Sequence, residues 1–161
     1  MLTTSQPTDS HPPSSNPNER PLLTWELIKD RIETDSVHLL RRTLAEEEKY
    51  RNWTNKVKEE YGSMDVYIQQ ISLGWQDSEG RPIEGPEYKF LPNDFPYNLD
   101  KGISHWVFWY RKDYSLEELE RIIQRELPDK DFLFFINPTT TQSVRTVSHA
   151  HVMFRDKKKS S

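Results

Sequence analysis

"ISHWVFWYRKDYSLEELERIIQRELPDKDFLFFI", residues 103–136, decides the fold. Its opening run, 103–110, is dominated by β-branched, aromatic and other apolar side chains and has the length of a buried strand. Ser115-x-x-Glu118 then makes a capping box for a helix over 115–127, each side chain satisfying the other residue's backbone N–H. A second short apolar run, 131–136, reads as another strand.

Upstream, Thr24 stands as N-cap before WELIKDRIE, whose Trp25, Ile28 and Ile32 lie on one helical face. Ser36 opens VHLLRRTLAEEEKYRNWTNKVKEEYG, a long helix in which Val37, Leu40, Leu44, Tyr50, Trp53, Val57 and Tyr61 recur at helical spacing and Gly62 stops it. A third helix is expected over 64–73, between Ser63 and Gly74, although Val66, Tyr67, Ile68 and Ile71 also suit a strand. Residues 75–100 carry four prolines and no periodicity, which marks irregular backbone, and a loop of that length is often functional. Downstream, 149–154 alternate as a last strand. Helices first, then strand, helix, strand, strand, is an α+β pattern: N-terminal helices packed on a small, mainly antiparallel sheet. One domain is expected over 22–156, between a proline-rich, disordered stretch, 1–21, and a basic tail, 157–161.

Of the 161 residues none is cysteine, the net charge is -4, and no apolar run reaches the length of a membrane helix. Disulfides, a thiolate zinc site and a cysteine nucleophile are excluded, and no broad basic face is offered to nucleic acid. Residues 1–21 do not read as a secretory signal. A cytoplasmic or nuclear protein is expected, with small molecules or proteins as partners, neither nucleic acid nor membrane, and with no cofactor.

Side chains alternate across a strand, so His149 and His151 share a face, about 6 to 7 Å apart. At that spacing one imidazole can attack a substrate atom while the other hydrogen-bonds a neighbouring oxygen; the competing reading is a structural strand whose histidines face water. Asn137, Gln142 and Ser143 lie just ahead and are candidate ligand-binding residues. His105 shares a strand face with Ile103, Val107 and Trp109 and reads as a core histidine. If the strands bring it beside the other two, three imidazoles could hold zinc or iron, but the carboxylate of the similar jelly-roll metal motif is missing, and no metal is assigned. Trp75, Tyr88, Phe95 and Tyr97 flank the irregular stretch and could stack on a base or sugar ring or simply pin the loop; Trp75, Tyr97 and His105 join the ligand-binding candidates.

The order Asn137, Gln142-Ser143-Val144, His149-Ala150-His151-Val152 resembles the signature of the histidine-triad nucleotide-binding superfamily, and GISHWVFWYRKDYSLEELERII resembles the strand and helix that precede it there. The resemblance implies an α-phosphate held over the final strand, His149 as the nucleophile that carries a nucleotidyl group, and His151 and Ser143 on phosphate oxygens. Asn137 would lie near ribose and phosphate. The pattern departs at Val147, where that superfamily has its first histidine, and at Pro138-Thr139-Thr140-Thr141, where it has glycines. Binding without catalysis is therefore also open.

Three blocks in order, YGSMDVYIQQISLGW, FPYNLDKGISHWVFWYR and NPTTTQSVRTVSHAHVMFR, resemble the fungal N-acetylglucosamine-induced protein family, a domain of unknown function, over residues 22–155. This resemblance implies a fungal intracellular protein tied to the amino-sugar response and no proven reaction. The expectation is binding of a nucleotide or nucleotide sugar, with phosphoryl or nucleotidyl hydrolysis or transfer through His149 as the chemistry on offer. The alternative is a non-enzymatic interaction or regulatory protein that meets a protein partner through residues 75–100.

Overall fold

The computed structural model describes residues 20–138 and 144–158. Four strands, β1 (Tyr88–Pro92), β2 (Ser104–Tyr110), β3 (Lys130–Phe135) and β4 (Ser148–Asp156), form one antiparallel sheet in the order β1-β2-β4-β3. Because β2 and β3 both run antiparallel to β4, they are parallel to each other, and α4 (Leu116–Glu126) makes the crossover that parallel strands require. The α+β architecture expected from the sequence is the one observed.

Period-two alternation gives the sheet two different faces. On one, Phe108, Tyr110, Ala150 and Val152 pack with Phe132 and Phe134 beneath Leu119, Ile122 and Ile123 of α4. That helix starts where the sequence predicts: Ser115 Oγ accepts the Glu118 N–H at 3.1 Å and Glu118 Oε1 accepts the Ser115 N–H at 3.0 Å. The opposite face carries His105, Val107 and Trp109 of β2 against Met153, His151 and His149 of β4. It is covered by the N-terminal half of the chain: α1 (Trp25–Glu33) packs its Ile28 near Phe135 and Met153, and α2 (Leu44–Tyr61) with α3 (Met64–Tyr67) packs Val57 and Met64 near Val144 and Val147.

Three local features depart from the sequence reading. The long helix does not start after Ser36; a short 3-10 turn, Val37–Leu39, gives way to extended backbone at Leu40. Helix α2 begins only at Leu44, where Thr43 Oγ1 accepts the Glu46 N–H at 3.0 Å. Two caps compete here, and tertiary bonds choose the second: the Arg41 carbonyl receives the Asn98 N–H at 2.9 Å and Arg42 Nε donates to the Phe95 carbonyl at 2.6 Å, so this stretch must run straight. The helix after Ser63 widens into a π-helical turn over Ile68–Ser72 before Gly74, a local form often found beside functional sites. Finally, the irregular stretch contains strand β1. Pro92 hid it, but β1 is an edge strand, where a residue without an N–H is tolerated.

Gly62 ends α2 at φ 90°, a conformation that favours glycine. Among the described residues no helix is long and apolar enough to cross a membrane. The expected disorder of 1–21 falls almost wholly outside the described residues.

Phe108 is fully buried at the centre of the α4 layer. Phe108→Ala should lower stability by about 3–5 kcal/mol, read as a fall in the urea midpoint. A loss below about 1 kcal/mol would show that this layer is not the core that holds the sheet.

Candidate functional site

The histidine-bearing face of the sheet is the floor of a cavity of about 430 Å³, a size suited to a small-molecule ligand. His149, His151 and Asn137 lie at its base. Its walls come from the extended stretch before α2, from α2 and α3, and from the loop after β1, among them Arg41, Arg42, Tyr50, Trp53, Phe95 and Tyr97. Register explains the floor: Trp109 faces His149 and Val107 faces His151 across the central strand pair, so both imidazoles rise on the side opposite α4.

Their hydrogen bonds assign each ring a tautomer. The backbone N–H of Tyr97 donates to His105 Nδ1 at 3.2 Å, so the proton of a neutral His105 sits on Nε2. Two groups face that nitrogen, the Asn93 side chain at 3.3 Å and His151 Nδ1 at 2.9 Å. Asn93 Oδ1 already accepts the Phe95 N–H at 2.8 Å, which turns its amide NH2 toward His105, and an NH2 group cannot accept. The His105 proton therefore goes to His151 Nδ1. His151 in turn carries its own proton on Nε2, 3.2 Å from the Asn137 amide nitrogen; since an NH2 group cannot accept, the bond requires the Asn137 amide turned over so that its oxygen faces His151. The Asn137 amide also hydrogen-bonds the Tyr97 hydroxyl.

His149 is the opposite tautomer. Its Nδ1 lies 3.0 Å from the Val147 carbonyl, which can only accept, so Nδ1 holds the proton and Nε2 keeps a lone pair. No hydrogen bond from the described residues occupies that Nε2.

All three rings are buried and held neutral. Burial pushes His105 down to about 3, with the Arg42 charge acting in the same direction. His151 lies well below the usual histidine range, first through burial and then through His105, His149 and Arg42. Burial also lowers His149, opposed by its bond to the Val147 carbonyl and by the Asp65 charge. Tyr97 is raised by burial against its hydrogen bond to Asn137.

The structure thus brings together Asn137, His149, His151, Tyr97 and His105, the last beneath the floor with both ring nitrogens engaged. Gln142 and Ser143 lie outside the described residues. Trp75 is not part of this cavity: it is buried beside Val144 and Val147 with the Arg111 guanidinium 5.0 Å from its ring. Tyr88 is on the other side of the sheet, stacked on Phe108. Among the described residues no group of three His, Cys, Asp or Glu side chains is arranged to hold a metal; His105 and His151 aim their nitrogens at each other instead. Sequence reading missed Arg42, Tyr50 and Trp53. The available signal was Thr43-x-x-Glu46, a second capping pattern that frees Arg41-Arg42 from the helix.

Residues 24–155 match the family described as Protein of unknown function (DUF3605). The Uncharacterized protein YPL067C of Saccharomyces cerevisiae is 27% identical over 155 residues, which cover 80% of this chain and 77% of the relative. The N-acetylglucosamine-induced protein 1 of Candida albicans is 24% identical over 185 residues, covering 89% of this chain and 72% of the relative. The crystal structure of HTC1 has a similar fold, with a TM-score of 0.59 at 26% identity over 83% of this chain and 85% of that one.

Nitrogen-15 spectra of the histidines should show Nε2–H tautomers for His105 and His151 and an Nδ1–H tautomer for His149 at pH 7. Since the native pKa values are depressed, the unfolded chain binds more protons below its histidine pKa, and stability must fall as pH drops from about 6.5 toward about 4.5, above most carboxylate titration. A urea midpoint that stays flat over that window, or a charged His105 or His151 at pH 6, would refute the buried neutral cluster.

Proposed function

We propose for this chain, which belongs to the DUF3605 family of proteins of unknown function, the binding of a nucleotide or nucleotide sugar in the cavity above the histidine floor. The observation that carries this reading is the His149 ring: neutral, oriented by the Val147 carbonyl, without a hydrogen bond from the described residues on Nε2, and lining a cavity that also holds arginines and aromatic rings. A neutral imidazole with a free lone pair is a competent nucleophile toward phosphorus, and its fixed Nδ1–H bond supports the positive charge that develops on attack.

In the reaction this arrangement suits, Nε2 of His149 attacks phosphorus and an Nε2–P bond forms as the bond to the leaving group breaks. Water then cleaves the Nε2–P bond; its oxygen stays on phosphorus and one proton ends on the leaving group. In this reading His151 acts through Asn137, whose side-chain amide lies 3.2 Å from its Nε2. The name of the Candida albicans relative, an N-acetylglucosamine-induced protein, supports a link of this chain to the amino-sugar response and makes uridine diphosphate amino sugars the first ligands to try.

A panel of nucleotides, uridine diphosphate N-acetylglucosamine and free N-acetylglucosamine tests the reading by thermal shift. A true ligand at a hundred times its Kd adds about 2.7 kcal/mol to stability, a rise in Tm on the order of ten degrees. His149→Ala should keep the shift and lower any turnover about a thousandfold or more. Unchanged turnover in that variant removes His149 as nucleophile, and silence across the whole panel replaces the nucleotide reading with that of an interaction protein.

A further inference from the structure

We infer that Arg42 forms an oxyanion subsite in this cavity, one built to take the phosphate or diphosphate of a ligand whose ring lies against Tyr50, Trp53 and Phe95. The inference rests on the cavity being a ligand site, as proposed above.

Among the described residues no hydrogen bond uses the outer nitrogens of Arg42. Its Nε donates to the Phe95 carbonyl at 2.6 Å, and its guanidinium carbon lies 4.0 Å from the centre of the Tyr50 ring and 5.7 Å from that of Tyr97. A carbonyl and a ring face fix the plane of the guanidinium but leave its full charge in place. No carboxylate among the described residues forms an ion pair with it. Glu47, on the same cavity, is already gripped by Arg20 at 3.2 and 3.3 Å, and Asp94 is exposed at the rim.

A half-buried cation beside three imidazoles that stay neutral is an uncompensated charge, and removing such a charge from water is unfavourable unless an anion completes it. The planar fork of guanidinium nitrogens matches two phosphate oxygens, a geometry that lysine lacks. The aromatic wall is contiguous with this fork: Phe95 sits 5.4 Å from Tyr50 and 5.1 Å from Trp53, centroid to centroid. Charge and ring surfaces side by side describe a phosphorylated ring compound. They fit neither a free sugar, which brings no charge, nor a bare metal, which would be repelled.

The experiment is calorimetric titration of the whole chain and of Arg42→Gln and Arg42→Lys with inorganic pyrophosphate, uridine diphosphate and free N-acetylglucosamine. Pyrophosphate should bind the parent chain, weaken as salt is raised, and lose about tenfold or more in affinity in Arg42→Gln, with Arg42→Lys in between. Equal pyrophosphate affinity in the parent and Arg42→Gln overturns the subsite, as does failure of pyrophosphate to bind the parent. Should Arg42→Gln not fold, the Lys variant decides: parental affinity there removes the fork from the explanation. The two readings part cleanly. Uridine diphosphate binding that is indifferent to Arg42 keeps the nucleotide site and discards this subsite, whereas pyrophosphate binding that depends on Arg42 and gains nothing from the nucleoside keeps the subsite and discards the nucleotide.

Discussion

The pairing of β2 with β4, in the one register that sets Val107 opposite His151 and Phe108 opposite Ala150, is the constraint on which the rest depends. Side chains on a strand have a period of two, so a slip of one residue in either strand would exchange its faces. Imidazoles would then be pressed beneath α4 against Leu119 and Ile123, and Phe108 or Val152 would be turned into the cavity. The apolar layer under α4 makes such a slip prohibitive, since it would strip the fully buried Phe108, Leu119, Ile123, Ala150 and Val152 of their partners. One face of the sheet provides the stability that holds the polar groups of the other face in place.

Those polar groups are satisfied in a directional way. Buried imidazoles are unfavourable unless their nitrogens are bonded, and each chain of bonds here is anchored on one backbone group that cannot reverse its role. The Tyr97 N–H sets His105, His105 sets His151, and His151 turns Asn137; separately, the Val147 carbonyl sets His149. Two histidines two residues apart thereby become chemically unlike, one a donor at Nε2 and the other with a lone pair there. Burial and the nearby Arg42 keep His105 and His151 neutral, so the permanent positive charge of the cavity wall resides on arginine.

The N-terminal half supplies what the sheet lacks. The chain is straightened at Leu40 to Arg42 by bonds to Asn98 and Phe95, which lie on the loop after β1, and the same bonds tie that loop to the start of α2. Arg42, Tyr50 and Phe95 therefore come from different elements yet occupy one wall. The short stretch that interrupts an otherwise helical pattern is the stretch that carries the arginines.

Much of this was legible in the chain alone, because the signals are local. The capping box at Ser115, the apolar periodicity of α4, the two strands around it and the His-x-His alternation depend on residues a few positions apart, and they determine the α+β class and a shared face for His149 and His151. Strand β1 was hidden because Pro92 is permissible only at a sheet edge, and edge position is a property of the assembled sheet. The start of α2 was misread because two caps of similar local strength compete and the winner is chosen by hydrogen bonds to residues more than fifty positions away. The partnership of His105 with His151, the exclusion of Trp75 from the cavity and the entry of Arg42 into it follow from strand order and helix placement. Sequence determines which side chains can do chemistry; only the tertiary structure decides which of them meet, because meeting is set by long-range packing and not by spacing along the chain.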